Sequence, residues 1–349
     1  MDTKPIKILH LLESNHFSGA ENVVCQIIDL FKNENVEMIY CSPSGQIQES
    51  LKERNITYQE LKNLSISEIR KVVKLINPDY IHAHDARMAV LASLAGFSRR
   101  LIAHIHGNHP NMRTMTVKSL SVAFFSLFWK KIIWVSDSSF EGYRFRKLVT
   151  NNSIVLPNII RKKDVENRLM QAYGCDKEYD CIVLGRVNAI KDPFRAIKIF
   201  TKVSLSYPHF RAVFVGSGEM LEECQDYISK EKLDEFIEFK GFVNNPIGIL
   251  NKSKMLVMTS VYEGTPMCAV EAMALGKPIV STPTDGIVDL VDQDMTGYYS
   301  DNDDLLAQKI ISILSDTQTY EQMVQNTLTR FDLLMDESEY IDKLSNIYK

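Results

Sequence analysis

Short apolar runs alternate with amphipathic segments along nearly the whole chain, and that alternation limits the architecture more than any other feature. In the first half the strand-like runs are Ile6–Leu12, Val36–Ser42, Tyr80–His84, Leu101–His106, Ile132–Val135 and Ile154–Leu156. Helical patterns separate them, with apolar residues at three- and four-residue intervals over Ala20–Phe31, Ile66–Ile76 and Arg87–Leu94. The second half repeats the scheme with Cys181–Leu184, Ala212–Val215, Ile237–Phe239, Met255–Met258 and Pro278–Ser281. The strands read as continuous apolar runs, as required when both sheet faces are covered. The fold class expected is therefore α/β, with doubly wound parallel sheets. A chain of 349 residues is too long for one ordinary core and suits two such domains. The polar run Arg161-Lys162-Lys163-Asp164, in a seam over residues 157–179, places the boundary: residues 1–160 and then 161–332. Two doubly wound sheets facing across a cleft would bind ligands outside their carboxyl edges.

Composition narrows the function classes. Net charge is −4, so bulk electrostatics do not make this a nucleic-acid binder. The charge is uneven, however: residues 1–160 hold 19 Lys+Arg against 14 Asp+Glu, and the remainder holds 21 against 30. A basic front half suggests that this half alone meets an anionic surface. Six cysteines lie scattered, mostly in apolar runs and with no CxxC pair, which argues for a reducing compartment and against a zinc site. The N-terminus runs straight into a strand with no secretory signal. The longest apolar stretch, Ser119 to Trp129, is shorter than the ~20 residues of a spanning helix.

Loops that follow strands are where chemistry is expected. Gly19, ahead of the first helix, lets backbone approach a ligand closely. His82 and His84 share one strand face, and so do His104 and His106. A metal site there is disfavoured because no carboxylate cluster completes the ligand set. A polar ligand pocket is expected instead, with His106-Gly107 best placed. Arg186 and Lys191 put two cations at a strand-to-helix turn, where Arg grips phosphate bidentately and Lys adds a point charge. Gly216-Ser217-Gly218 marks a tight turn, and Val243-Asn244 could line a planar base.

The strongest local signal runs from Glu263 to Gly276. Thr265 is expected as N-cap, Pro266 as the first helical residue, and Gly276 as the left-handed stop. From Pro266 to Leu275 every residue is apolar except Glu271. A helix apolar all round is buried, so Glu271 needs donors: ligand hydroxyls, backbone N–H groups or a cation.

Together these residues resemble the retaining glycosyltransferases of family 4, built on the two-Rossmann glycosyltransferase-B (GT-B) fold. The Glu-x7-Glu pair stands as Glu263 and Glu271, and the Gly-Arg…Lys element as Gly185-Arg186 and Lys191. The N-terminal glycine loop stands as Ser18-Gly19-Ala20-Glu21 and the strand-end His-Gly as His106-Gly107. Two departures are Ser18 in place of the first glycine and Asp289 where the family has Glu. The resemblance implies a UDP-sugar donor whose diphosphate is held by Arg186 and Lys191, with Glu271 on the ribose and Val243 and Asn244 flanking the base. Glu263 would touch the transferred sugar beside the backbone amides of Thr265, Met267 and Cys268, and Gly19 and His106 would complete the sugar pocket. It implies no metal and no cofactor. Asp301-Asn302-Asp303 reads as a helix cap. The tail, 333–349, is expected to return to the first domain.

Lys118 to Trp134 is strongly apolar and aromatic. It reads either as a core helix entering a core strand, or as a peripheral contact. In the second reading, apolar and Trp side chains sit at a membrane face with Lys118, Lys130, Lys131, Arg144, Arg146 and Lys147 near anionic headgroups. That reading predicts a cytoplasmic protein docking on the inner membrane face, with a glycan acceptor on a lipid. A nucleotide-sugar epimerase of the same fold and a non-catalytic nucleotide-sugar-binding scaffold are the competing functions.

Overall fold

The computed structural model describes residues 4–16, 19–107, 109–172, 177–334 and 336–349. The chain forms two compact units: the chain up to Ile159 joined by the segment after Leu334, and Ile160–Leu334. Each is a parallel sheet layered with helices, as the alternating sequence pattern requires.

The N-terminal unit holds seven strands: β1 (Ile6–Leu11), β2 (Val36–Pro43), β3 (Tyr58–Leu61), β4 (Tyr80–His84), β5 (Leu101–Ile105), β6 (Lys131–Trp134) and β7 (Ser153–Val155). Their order is β3-β2-β1-β4-β5-β6-β7, every pair parallel. The order reverses between β1 and β4, and the carboxyl ends of those strands flank the crevice such sheets offer to ligands. Leu9, Leu11, Ile81, Ala83, Ala103, Ile105 and Trp134 point to one face and join a single apolar cluster with the helices there. The opposite face carries His10, His82, His84 and His104, all buried. The C-terminal helix, Glu337–Tyr348, groups with this unit. Tyr348 Oη lies 2.8 Å from His82 Nδ1, and the Tyr348 ring meets Phe31 edge-on.

The second unit holds β8 (Tyr179–Leu184), β9 (Ala212–Val215), β10 (Ile237–Phe239), β11 (Ser253–Met258), β12 (Ile279–Ser281) and β13 (Gly297–Tyr299), in the parallel order β10-β9-β8-β11-β12-β13. Here the reversal lies between β8 and β11. The edge strands β3 and β13 are absent from the sequence expectation. Tyr-Gln-Glu-Leu and Gly-Tyr-Tyr are short and only partly buried, so neither shows the continuous apolar run of a central strand.

Candidate functional site

Loops leaving β8 and β11, at the reversal of the second sheet, gather the charged residues singled out above. Gly185 follows Leu184 with φ +148°, a conformation that side chains disfavour, and a Cβ there would lie 3.3 Å from Lys191 Cε. The glycine thus lets the lysine stem fold back across the strand end. Lys191 is fixed from both sides of its backbone. Its N–H reaches Asn188 Oδ1 at 3.1 Å, and its carbonyl accepts from Thr259 Oγ1 at 3.0 Å. Asp192 follows in the left-handed region and caps the Pro193–Ser206 helix through a bond from the Arg195 N–H at 3.3 Å.

Lys191 Nζ forms an ion pair with Glu263 Oε1, which also accepts from Ser260 Oγ at 2.6 Å. Burial pulls the Lys191 ammonium down, but Glu263 and Cys268 beside it and the bond to Glu263 more than offset this, so its pKa moves up. The lysine therefore stands charged at neutral pH. Arg186 is exposed and close enough to oppose the Lys191 charge, and it acts on the Tyr262 phenol as well. Cys268 senses Lys191, Glu263 and Glu271 together; burial is the main reason its thiol is pushed up to about 12, and it stays protonated. Arg186, Lys191, Glu263, Cys268 and Glu271 therefore form one cluster.

The helix after Glu263 spans Met267–Ala274, with Pro266 in extended conformation at its cap and no side-chain cap bond. This corrects the expectation of Thr265 as cap and Pro266 as first helical residue. Pro266 keeps an extended ψ of 117°, so helical dihedrals begin one residue later. Helical bonding starts where Ala269 and Val270 donate to the Pro266 carbonyl, which leaves the amides of Met267 and Cys268 without intrahelical acceptors. Gly276 is left-handed, φ +66°, as expected.

Glu271 is buried, and its partner is a cation: Arg168 Nη1, at 2.5 Å from Oε1. Arg168 comes from the Lys162–Met170 helix, and its carbonyl accepts from Asn245 Nδ2 at 2.6 Å. Sequence reading missed Arg168 and Asn245. Arg168 lies 103 residues from Glu271 and carries no local motif. Gly286 packs directly against the Gly264 backbone. A Cβ on it would lie 1.5 Å from the Gly264 carbonyl oxygen, so Gly286 is what lets the Glu263 loop seat against the Asp285–Leu290 helix. Val243 is half-buried and Asn244 exposed at the end of β10. Asn302 caps the Asp303–Ser315 helix by accepting from the Asp304 and Leu305 N–H groups.

In the N-terminal unit, Gly19 begins the Gly19–Leu30 helix with open space around it, while Ser18 lies outside the described residues. Cys175 also lies outside them, and the five described cysteines are free. His106 directly follows β5, with its backbone N–H on Asp85 Oδ1 at 3.1 Å. The Val117–Ser126 helix turns Val122 inward, but Leu120, Phe124, Leu127 and Phe128 are exposed. Both tryptophans are core residues: Trp129 donates to Ser93 Oγ at 2.7 Å and Trp134 to Ser153 Oγ at 3.0 Å. That corrects the expectation of Trp at an interface, since each indole N–H finds its partner inside. Beside the exposed phenylalanines runs a groove of about 420 Å³ lined by Phe97, Arg99, Arg100, Phe125 and Phe128. Among the described residues no helix is long and apolar enough to cross a membrane.

Comparison with known proteins agrees with this layout. Residues 10–125 match the family described as Glycosyl transferase 4-like, and residues 166–330 match Glycosyl transferases group 1. HepE of Anabaena, solved in complex with UDP-glucose, superposes with a TM-score of 0.84 at 20% identity over 98% of both chains. S. aureus TarM superposes at 0.82 with 10% identity over 99% of both chains. The fold is GT-B. Among sequence relatives, the UDP-Gal:alpha-D-GlcNAc-diphosphoundecaprenol alpha-1,3-galactosyltransferase of Escherichia coli is 23% identical, the match covering 98% of this chain and 96% of the relative. The poly(glycerol-phosphate) alpha-glucosyltransferase of Bacillus subtilis is 24% identical over 63% of this chain, a match that spans 33% of that longer relative. Two uncharacterized glycosyltransferases of Methanocaldococcus jannaschii are likewise matched over only 35% and 40% of their length. The Lys191–Glu263 cluster thus occupies, in this GT-B chain, the strand-order reversal of the sheet that carries the group 1 match.

Proposed function

We propose that the protein is a retaining, metal-independent glycosyltransferase that moves a hexose or N-acetylhexosamine from a UDP-sugar to a glycan acceptor, lipid-linked, in cell-surface polysaccharide synthesis. The observation that carries this reading is the Lys191–Glu263 ion pair set beside Arg186 and the free first-turn amides of Met267 and Cys268. Breaking the anomeric C–O bond leaves negative charge on the diphosphate. Arg186 and Lys191 neutralise it, aided by the helix N-terminus, and preorganised charges of this kind need no rearrangement when the bond breaks. Lys191 exchanges Glu263 for phosphate when donor arrives, which frees the Glu263 carboxylate for sugar hydroxyls. The leaving phosphate oxygen accepts the acceptor hydroxyl's proton on the same face, so the configuration is retained. Glu271, oriented by Arg168, takes the ribose hydroxyls; Val243 and Asn244 flank the uracil; the Thr265 amide joins those of Met267 and Cys268. Gly19 and His106 enter as sugar contacts through the family resemblance alone.

The lipid-linked acceptor is supported by the E. coli relative's printed substrate and by the exposed phenylalanines beside Arg99 and Arg100. The same patch supports a reading of peripheral docking on the cytoplasmic membrane face. Purified protein incubated with a panel of UDP-sugars and a polyprenyl-diphosphate-linked sugar, with and without EDTA, tests the reading. Expected are free UDP and a product whose anomeric NMR coupling matches the donor, unchanged by EDTA. Donor epimerised without transfer, or bound and returned intact, overturns transfer in favour of an epimerase or a scaffold.

A further inference from the structure

Five imidazoles stack on one face of the N-terminal sheet, and the transfer reading uses only His106. Parallel register sets His10 beside His82 and His84 beside His104. His106 adds a ring at the end of β5, its centroid 4.2 Å from that of His104. Apolar residues would fill this layer without cost, whereas each buried polar atom left unpaired costs about 1–3 kcal/mol. Here His82 Nε2, both nitrogens of His104 and His106 Nδ1 are buried with no partner.

Tautomers follow from one end of the row. Met38 Sδ lies 3.4 Å from His10 Nε2, and a thioether only accepts, so His10 carries its proton on Nε2. His10 Nδ1 is then a lone pair, and His84 Nε2 at 3.0 Å must be the N–H that faces it. His84 Nδ1 is left as a lone pair aimed at His106 Nε2, 2.7 Å away.

We propose that His84, His104 and His106 bind one imidazole-preferring transition-metal ion of the zinc class. Each offers a ring nitrogen within 4.8 Å of the others, and all but His106 are fully buried. Tetrahedral zinc with Zn–N near 2.0–2.1 Å needs nitrogens roughly 3.3 Å apart, so the 2.7 Å pair opens and the longer distances close. A second triad, His10, His82 and His84, meets the same distance test. There the His84 nitrogen facing His10 is Nε2, which the tautomer chain protonates, so the strand-end triad is the one selected. On binding, the His106 proton moves from Nε2 to Nδ1, every ligand stays neutral, and no proton is released. The bond from His84 Nε2–H to His10 orients the central ligand as an outer-shell partner does. Asp85, whose Oδ1 accepts from the His106 backbone N–H, supplies a negative charge beside the ion.

Because His106 is shared with the proposed sugar contact, binding is read directly and not through activity. Metal-free full-length protein titrated with Co2+ is expected to take up one equivalent, with the intense visible bands of tetrahedral cobalt, and to release it to Zn2+. His104→Gln is expected to weaken binding by roughly tenfold or more, and the double variant His16→Ala/His209→Ala to leave it unchanged. Absence of stoichiometric uptake, or uptake that survives His104→Gln, overturns the proposal. Should that variant fail to fold, Cu2+ EPR of the wild type decides: nitrogen hyperfine structure from three imidazoles supports the site, and an oxygen-dominated signal overturns it.

Discussion

Lys191 shows how one side chain carries two loads. Its ammonium neutralises Glu263 in the folded chain and, in the proposed reaction, the departing diphosphate. Lys191→Ala therefore leaves a mostly buried carboxylate with only Ser260 for a partner, and unfolding free energy is expected to fall by about 1–3 kcal/mol. Turnover is expected to drop by at least roughly a hundredfold. Adding Glu263→Gln in the same chain should restore most of the melting temperature and none of the turnover; recovery of both would make the lysine merely structural. Glu271 is separable in the same way. Glu271→Gln and Arg168→Gln both break the 2.5 Å pair and should both lower stability. Glu271→Gln is expected to weaken UDP binding by about 1–3 kcal/mol, Arg168→Gln by less because the carboxylate itself remains, and calorimetry showing equal losses in the two variants would take Glu271 out of the donor site. Glu271 was legible from residue type: one charge in an apolar helix must have a partner. Which partner was not legible, because Arg168 reaches Glu271 only through tertiary packing.

At the scale of elements, the Val117–Ser126 helix is apolar on more sides than its sheet can cover. Phe124 and Phe128 are 59% and 50% exposed, and Phe128 lines the groove with Arg99 and Arg100. Phe124→Ser/Phe128→Ser is expected to reduce sedimentation with vesicles containing anionic lipid while leaving the melting temperature within a degree or two, since exposed side chains contribute little to folding. High salt should reduce binding further by screening the arginines. Sedimentation equal to wild type would place the membrane contact elsewhere. Apolar composition alone left core and surface readings of this segment open. Burial divides it: Val122, Trp129 and Trp134 belong to the core, and the phenylalanines at 124 and 128 do not. Central strands such as Tyr80–His84 and Ala212–Val215 were readable to the residue because both faces are buried, whereas the edge strands β3 and β13 were not.

For the whole molecule, the histidine layer makes the two units respond differently to acid. Burial pushes His10 down to about 3, and burial with neighbouring imidazoles holds His82, His84 and His104 well below the usual 6.5. Unfolded, these side chains take up protons below about pH 6.5; folded, they do not. Stability is therefore complete above 6.5 and falls as pH drops toward 3, by up to about 1.4 kcal/mol per pH unit for each histidine. The second unit contains only His209, which has no such burial. Calorimetry is expected to show the N-terminal unit's transition moving down from pH 7 to pH 5 while the other moves far less; two transitions shifting together would refute the assignment.

Local pattern sufficed for the alternation of strands and helices, the two-domain α/β class, the order of the motifs and the left-handed stop at Gly276, because backbone dihedrals and strand burial are set by residues near in sequence. Tertiary structure alone decided that Arg168 meets Glu271, that Gly286 admits the Gly264 carbonyl, and that histidines from three strands stack across the sheet. Those contacts join residues from about twenty to more than a hundred positions apart, where sheet register and loop closure, not local propensity, determine what touches what.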